Sequence, residues 1–395
     1  MNRNAKLSSW LCCLLMLPQI QAQQESRVRS IGPVPLDANQ ALNIVVPDPF
    51  DCFVLRVQGP TLPAYLMVDG DTLLPDPHAP EACVQSLPQF KKQALIHLPV
   101  AAQLTVFFME VGSVGVQSPA TLRNNMPPVI PQSQWRMGLN PPKPGPVATR
   151  TRHVIVHHSA GNTNESDFVK VVRSYYLLHT EVNGWDDIGY NYLIASDGSI
   201  FAGRDPQGLA GVQQDNVRGA HFCSKNEYTM GVCIIGDYTQ VQPPFPAVNS
   251  LCRLLAWKMQ QDGMNPFDSV RHPDPKGGFL GTLAGHRDGC NTECPGEKVY
   301  VQAEAIRECV SLRLSNLEAW AQHTGTFRLI QEGSILHIHS TSREFEALLY
   351  SADGRLVETA KGINGSSSMR ISTPALYYVQ LNGSLGVQYQ KLIAP

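Results

Sequence analysis

Two hydrophobic periods divide the chain into three regions. Between residue 23 and residue 126, short apolar runs are separated by Pro, Gly and Asp, a pattern typical of strands in a β-sandwich. Between residues 127 and 323, strand patterns alternate with helical patterns, which predicts an α/β domain. From residue 326 to residue 395 a strand period returns and predicts a small all-β sandwich. The expected fold is therefore a central mixed sheet flanked by helices, with an all-β domain on each side.

The central region contains the strongest periodic segments. Val154–His157 and Met230–Ile235 are apolar runs of strand length. Ser166–Thr180 has apolar residues at helical spacing, with Asp167 in its first turn. Tyr190–Ala195 predicts a strand that ends in a hairpin turn. Two further helices are predicted over Ala247–Gln261 and Val299–Leu317.

The two outer regions carry no catalytic constellation. We interpret the first as a structural spacer, with a wall- or sugar-binding accessory domain as the alternative, and a Pro-rich linker from Pro127 follows it. Its predicted strands are Leu42–Val46, Cys52–Val57, Tyr65–Val68, Ala94–Leu98 and Leu104–Val111. In the last region the predicted strands are Ile335–His339, Ala347–Tyr350, Met369–Ile371 and Tyr377–Leu381, with a hairpin turn at Ala352–Arg355.

Composition and the first residues predict an exported protein. Hydrophobic residues make up 43% of the chain and the formal net charge is −2, so there is no electrostatic reason to expect a nucleic-acid partner. Arg3 and Lys6 precede a short apolar run, and Ala22 is a suitable small residue before a cleavage point, so residues 1–22 are interpreted as a signal peptide. No later stretch is long and apolar enough to cross a bilayer. We therefore expect a secreted monomer that is not an integral membrane protein.

Cysteines fit an exported chain, which can keep disulfides. Cys52 and Cys83 lie in the same N-terminal segment and are candidates to pair, whereas Cys233 lies in an apolar run and is most simply a buried thiol. The connectivity of the others cannot be read from the sequence. They are Cys223, Cys252, Cys290, Cys294 and Cys309.

A three-ligand metal site is the main chemical signal. His286 and Cys294 share one loop, and a histidine ends the apolar strand about 130 residues upstream. Catalytic zinc usually has three protein ligands and an open fourth position. His157 and His158 point to opposite faces of their strand, so only one of them can face the metal. Two alternatives remain for Cys294, which could instead pair with Cys290 or Cys309.

Several ordered motifs carry a resemblance to a known family. They are Val154–Ala160, Gly184–Ile194, Gly203–Arg204, Gly219–His221, Gly285–Asp288 and Cys294–Gly296. In this order they resemble the peptidoglycan-recognition protein and type 2 N-acetylmuramoyl-L-alanine amidase family, which includes the phage T7 amidase. The resemblance covers about residues 130 to 323.

The resemblance implies a role for each matching residue. The zinc ligands would be His157, His286 and Cys294, while Tyr190 and Thr292 would lie beside the metal. Members that only bind the cell wall commonly lack the cysteine ligand, so the resemblance implies an active enzyme. Zinc activates a water molecule and polarises a carbonyl, and hydroxyl groups such as those of Tyr190 and Thr292 can stabilise the developing oxyanion. Each of the two hydroxyl residues has a structural alternative, in strand packing or in a turn.

The family's groove binds glycan and stem peptide. Four residues fall at groove-associated motifs, and His179 and Trp185 have equally good structural explanations, at a helix end and at the start of a strand. The four are His179, Trp185, Arg204 and His221. Many members carry an aromatic residue after the Gly-Arg pair, but Asp205-Pro206 stands here. This departure leaves the preference for diaminopimelate or lysine in the stem peptide open.

The final region carries a second, looser resemblance. Gly354–Val357, Leu376–Val379 and Lys391–Ile393 resemble the C-terminal sorting domain of the Bacteroidetes type IX secretion system, although the usual Asn-Pro entry is missing. This implies contact with export machinery and a location in the periplasm, on the surface or outside a Gram-negative cell. A plain wall-binding β-sandwich is the alternative.

Three functions compete on the sequence. The first is a zinc amidase that cuts the bond between N-acetylmuramic acid and L-alanine in peptidoglycan or muropeptides. The second is a non-catalytic peptidoglycan receptor of the same fold, and the third is a zinc peptidase acting on another amide. The intact ligand set argues against the receptor, and the family-like groove argues against the peptidase.

Overall fold

The computed structural model describes most of the chain after the predicted signal peptide, which lies outside the described residues. The described segments are 27–59, 66–73, 84–85, 87–117, 126–161, 166–274, 277–314, 327–332, 334–340, 342–351, 356–372, 375–383 and 386–394. Within them, no helix is both long enough and apolar enough to cross a membrane.

The N-terminal region is a β-sandwich, as predicted. One sheet has the strand order β1, β8, β3, β6 and the other has the order β2, β7, β4, β5. Their bounds are β1 (Val28–Leu36), β2 (Ala41–Val45), β3 (Cys52–Gln58), β4 (Leu66–Val68), β5 (Asp71–Leu73), β6 (Val84–Gln85), β7 (Gln93–His97) and β8 (Ala102–Met109). Phe53, Leu55 and Ile96 fill the space between the sheets. The sequence missed β1, whose residues are almost all exposed and therefore show no hydrophobic alternation.

The central region is the predicted mixed α/β sheet. Its strands are β9 (His153–His158), β10 (Tyr192–Ile194), β11 (Ile200–Ala202), β12 (Thr229–Ile234) and β15 (Leu283–Gly285), in the order β11, β10, β12, β9, β15. All neighbouring pairs are parallel except β10 and β11, which form the predicted hairpin. A separate two-stranded hairpin, β13 (Ser269–Arg271) with β14 (Phe279–Gly281), was not predicted.

Helices cover both faces of this sheet. They are α1 (Gln132–Trp135), α2 (Phe168–Leu177), α3 (Phe245–Asp262), α4 (Glu297–Tyr300) and α5 (Ala303–Leu314). Val154 and Val156 share a hydrophobic cluster with α3 and α5, whereas Leu193 and Cys233 share one with α2. Since side chains alternate along a strand, His157 lies on the face opposite Val154 and Val156.

Two predicted helices differ in detail from the observed ones. Asp167 is the N-cap of α2, because its carboxylate accepts a hydrogen bond from the Lys170 N–H at 3.0 Å, and the helix widens into a π-helical turn at Leu178–Val182. The predicted helix from Val299 is divided into α4 and α5, and residues 315–317 lie outside the described segments. At the break, the Gln302 side chain donates to the Lys298 carbonyl, which competes with the backbone ladder.

The C-terminal region is a sandwich made from one continuous antiparallel sheet. Its strands are β16 (Phe327–Glu332), β17 (Ile335–Ser340), β18 (Glu344–Ser351), β19 (Leu356–Ile363), β20 (Ser366–Arg370), β21 (Ala375–Gly383) and β22 (Gly386–Ala394). The order is β16, β17, β20, β19, β18, β21, β22, and β19 joins β20 only through the pair Ile363 and Ser366. Inward residues of both halves, such as Leu336 and Leu349, share one core. The predicted turn at Ala352–Arg355 lies outside the described residues.

Both outer regions contact the central one. The buried guanidinium of Arg173 on α2 donates to the carbonyls of Val111 and Gly112 in the N-terminal region and to those of Trp135 and Met137. Burial lowers the pKa of Arg173 to about 10, which leaves it charged at neutral pH. On the other side, the Phe245 ring at the start of α3 stacks on Tyr378 with 4.5 Å between centroids.

A buried ion pair gives a stability prediction. The ammonium of Lys258, which is 0% exposed, lies 2.5 Å from Asp215 and 2.8 Å from Asp262. We expect Lys258→Met to lower the free energy of unfolding by about 3 kcal/mol or more, because the buried Asp215 carboxylate loses its cation. Urea unfolding followed by circular dichroism measures the change. The double variant Lys258→Met/Asp215→Asn should recover most of it, and equal losses in both variants would contradict this explanation.

A buried histidine gives a pH prediction. His153 is 0% exposed, and burial lowers its pKa although the hydrogen bond to the Gly281 carbonyl opposes the shift. In the unfolded chain its pKa is about 6.5, so below that pH the unfolded state binds the proton first and the folded state loses stability. We expect urea midpoints in zinc-saturated buffer to fall less steeply between pH 7.5 and 5.5 in His153→Asn, which keeps an N–H donor, than in wild type. Identical slopes would contradict it.

Candidate functional site

Three buried side chains meet at one end of the central sheet. His157 lies near the end of β9, His286 follows β15 in a short 3-10 turn, and Cys294 lies in the loop before α4. One ligand atom from each lies within 4.8 Å of the others. The Cys294 Sγ is 3.7 Å from the His157 Nδ1. Parallel neighbours β9 and β15 bring the two histidines together because their carboxyl ends share one edge.

Backbone contacts hold the cysteine loop against β9. The His158 N–H donates to the Cys294 Sγ at 3.4 Å, and the Arg287 N–H donates to the Cys294 carbonyl at 3.0 Å. Thr292 is half-buried, and its hydroxyl accepts from the Cys294 N–H at 3.2 Å. His158 itself turns to the other face of β9, where its Nδ1 accepts from the Tyr238 N–H. Of the two adjacent histidines, His157 is therefore the one in the cluster.

The donor set fits zinc. Two imidazole nitrogens and one thiolate are common zinc ligands, and three protein ligands leave a fourth position open. Ligand bonds of about 2.0 to 2.3 Å in a tetrahedral site place donor atoms roughly 3.3 to 3.8 Å apart. The 3.7 Å separation of Cys294 Sγ and His157 Nδ1 falls in that range. The donor types and this separation therefore fit a zinc ion.

A disulfide joins the two loops beside this cluster. Cys223 and Cys290 are bonded, with 6.1 Å between their Cα atoms. This removes the alternative in which Cys294 pairs with Cys290, and Cys309 instead packs on the core of α3 and α5 beside Cys252. Cys233 is a buried strand residue, as expected. Cys83 lies outside the described residues, so the pairing of Cys52 with Cys83 stays a prediction.

Tyr190 lies next to the cluster. Its ring centroid is 5.3 Å from that of His157, and only 4% of the residue is exposed. Gly203 approaches it so closely that a Cβ there would lie 2.1 Å from the Tyr190 carbonyl. The Tyr190 carbonyl also accepts from the Arg204 N–H at 2.9 Å, so the residues that follow β11 hold the backbone of Tyr190 in place.

His179 and Trp185 form one stacked pair. Their ring centroids are 4.6 Å apart with 23° between planes. The His179 Nδ1 accepts from the Gly189 N–H at 3.1 Å, and the residue is 2% exposed. His179 lies in the π-helical turn after α2. This turn contacts the N-terminal sandwich, because the Arg56 side chain donates to the Val182 carbonyl at 3.1 Å. The pair thus has a clear structural role, and of the two residues Trp185 is the half-buried one.

Arg204 borders a groove of about 480 Å³. Among the described residues that line it, three are basic and five are acidic, and none belongs to the histidine and cysteine cluster. The charged residues are Lys143, Asp186, Asp187, Arg204, Asp205, Arg218, Glu227 and Asp274. Such a wall suits a ligand that carries both ammonium and carboxylate groups.

Asp187 is a residue that the sequence analysis overlooked. It is 3% exposed, and burial raises its pKa to about 6. Its carboxylate accepts from the Gln132 amide and from the Ile188 and Asp205 N–H groups. Asp187 therefore holds the Asp205-Pro206 segment, which stands where many family members have an aromatic residue. The sequence could have pointed to Asp187 only through its position inside the Gly184–Ile194 motif.

His221, which the resemblance assigns to a groove-associated motif, lies deep beside the cluster. It is 1% exposed. Its Nδ1 lies 3.0 Å from the His157 Nε2, and its Nε2 lies 3.3 Å from the Thr229 hydroxyl. His221 is therefore buried behind a residue of the cluster.

A family model matches the region that builds this site. Residues 147–297 match the model described as N-acetylmuramoyl-L-alanine amidase. Together with the relatives below, the match makes the central part of this chain similar to the peptidoglycan-recognition protein and type 2 amidase family. The resemblance recognised in the sequence is confirmed at this level.

The relatives include both recognition proteins and amidases. Peptidoglycan-recognition protein LE of Drosophila melanogaster is 28% identical over 45% of this chain and 45% of its own length, so this chain spans less than half of that protein. Protein SC2 of the same organism is 27% identical over 44% of this chain and 82% of its own length. N-acetylmuramoyl-L-alanine amidase of Sus scrofa is 26% identical over 44% of this chain and 26% of its own length. The solved structure of Drosophila PGRP-LB is 28% identical, covers 45% of this chain and 92% of that chain, and has a TM-score of 0.35.

Proposed function

We propose that the protein is a zinc-dependent N-acetylmuramoyl-L-alanine amidase. The observation that carries the proposal is the buried cluster of His157, His286 and Cys294 inside the region that matches the amidase model. A cysteine with a metal-ligand geometry supports a catalytic domain over a receptor. The substrate would be the amide between N-acetylmuramic acid and L-alanine in peptidoglycan or its fragments.

The chain's own residues would supply the rest of the chemistry. His157, His286 and Cys294 would hold the zinc ion, which would supply a coordinated water of lowered pKa and a Lewis acid for the scissile carbonyl. Tyr190, whose ring lies 5.3 Å from that of His157, would donate a hydrogen bond to the oxygen that becomes negatively charged. Thr292 holds the cysteine loop by accepting from the Cys294 N–H, and its hydroxyl would assist at the same oxygen. Trp185, Arg204 and the charged groove would bind the glycan and the stem peptide.

Mass spectrometry of wall digests tests the proposed bond. Purified peptidoglycan incubated with the protein should release stem peptides with a free L-alanine amino group and leave intact glycan strands. Addition of a chelator should stop the release, and zinc should restore it. Binding to the wall without any new amino group would favour the receptor. Release of peptides cut within the stem would favour the zinc peptidase.

We further propose that the protein acts outside the cytoplasm of a Gram-negative cell. The predicted signal peptide and the sorting-like end of the chain support export, and the Cys223–Cys290 disulfide is compatible with an oxidising compartment. The division into residues 23–126, 127–323 and 326–395 and the monomeric state also remain proposals. The N-terminal sandwich would then act as a support for α2 through Arg173.

Removal of residues 326–395 tests the role of the last region. A chain that ends near His323 should keep zinc and cleave soluble muropeptides at the full-length rate, because no residue of the cluster lies in the deleted part. The truncation removes Tyr378, which covers the Phe245 ring, so the shortened chain should be less soluble. Phe245→Ser in the same truncated chain is the matched control, because it removes the exposed ring. Rates on soluble fragments and on insoluble wall distinguish the explanations. A loss on wall alone would assign wall binding to the tail, and a loss on both would contradict the boundary.

A further inference from the structure

A chain of hydrogen bonds runs from the metal cluster to a backbone carbonyl. The His157 Nε2 lies 3.0 Å from the His221 Nδ1, and the His221 Nε2 lies 3.3 Å from the Thr229 Oγ1. The Thr229 hydroxyl lies 2.9 Å from the Asn226 carbonyl oxygen. All three side chains are buried, with exposed fractions of 0% for His157, 1% for His221 and 0% for Thr229.

The last bond fixes the direction of the whole chain. A carbonyl oxygen only accepts, so the single hydrogen of the Thr229 hydroxyl is directed at Asn226. The Thr229 oxygen then accepts from the His221 Nε2, which must carry hydrogen. In neutral imidazole the other nitrogen is an acceptor, so the His221 Nδ1 accepts from the His157 Nε2–H. The lone pair of His157 is thereby left on Nδ1, the atom that lies 3.7 Å from the Cys294 Sγ.

Close backbone packing holds His221 in this orientation. A Cβ on Gly231 of β12 would lie 2.6 Å from the His221 ring, and a Cβ on Gly219 would lie 2.5 Å from it. The His221 N–H also donates to the Asn226 side chain at 2.6 Å. Only glycine at these two positions leaves room for the ring, so both the place and the rotation of His221 are set by the fold.

We propose that His221 is a positioning residue that fixes the tautomer of His157 and so presents its Nδ1 to the metal. This inference rests on the proposed zinc site. It reassigns the histidine of the Gly219–His221 motif from substrate contact to support of a ligand. Partners that orient a ligating histidine typically change metal affinity by about 10- to 100-fold when they are lost.

Two substitutions of His221 separate support from packing. His221→Asn keeps an oxygen acceptor near the place of Nδ1, whereas His221→Leu has a comparable size and no acceptor. Zinc dissociation constants, measured by competition with a chromophoric chelator, should rise about 10- to 100-fold in His221→Leu and stay close to wild type in His221→Asn. Unchanged affinity in His221→Leu, or equal losses in both variants, would overturn the proposal.

A spectroscopic measurement on the wild type tests the proposal even if the His221 variants fail to fold. Long-range proton–nitrogen correlation spectra of the zinc-loaded wild type, with nitrogen-15 in its histidines, report the tautomer of each ring. His221 should carry hydrogen on Nε2 and His157 should bind through Nδ1. A His221 ring with hydrogen on Nδ1 would overturn the proposal. These readouts do not depend on wall cleavage, so an inactive protein with this tautomer pattern would refute the amidase proposal alone.

Discussion

Cys294→Ala should bind no zinc and release no stem peptides from peptidoglycan. The substitution removes one of the three proposed ligands, a sulfur that lies 3.7 Å from the His157 Nδ1. Two histidines hold zinc far more weakly than two histidines and a thiolate, so metal and turnover should be lost together. Elemental analysis of the purified variant and a free-amine assay on muropeptides measure the two effects.

Cys309→Ala is the matched control for Cys294→Ala. Its thiol lies against the core between α3 and α5, away from the cluster, so this variant should keep one zinc per chain and wild-type turnover. Full zinc occupancy in Cys294→Ala would refute the ligand assignment. Full occupancy with lost turnover would instead mean that the cysteine acts in the chemistry and not in holding the metal.

Tyr190→Phe should keep its zinc and lose roughly two to three orders of magnitude in kcat, the usual loss for one oxyanion donor. The hydroxyl is the only group that changes, and the ring still packs 5.3 Å from His157. The effect should fall on kcat more than on KM. In the wild type the hydrogen bond from Tyr190 would become strong only in the transition state, when charge develops on the oxygen. Steady-state kinetics on a soluble muropeptide measure both constants.

Tyr192→Phe provides the comparison for Tyr190→Phe. Tyr192 lies two residues further along, in β10. Its ring belongs to the hydrophobic core under α3, on the side of the sheet opposite Tyr190. Loss of its hydroxyl should leave turnover unchanged. A wild-type kcat in Tyr190→Phe would reduce Tyr190 to a packing residue, and a parallel loss in Tyr192→Phe would mean that the sheet itself had been disturbed.

Local sequence predicted most of the elements because their signals are local. The apolar runs at Val154–His157 and Met230–Ile235 correspond to β9 and β12, and the periodic segment from Ala247 corresponds to α3. Alternation fails where a strand has no buried face, which is why β1 was missed. The helical pattern from Val299 likewise does not show the break between α4 and α5, where the Gln302 side chain donates to the Lys298 carbonyl.

The sequence by itself determined which residue types could form the site. His157, His286 and Cys294 were identified as candidate ligands from their motifs, and they lie in one cluster. The tertiary structure decided what no spacing contains: the bond between Cys223 and Cys290, the anchoring of Asp205 by Asp187, and the burial of His221 behind His157. These contacts join residues that are 18 to 67 positions apart. Their formation depends on how parallel strands align their ends and where glycines let rings approach, and both are properties of the packed sheet.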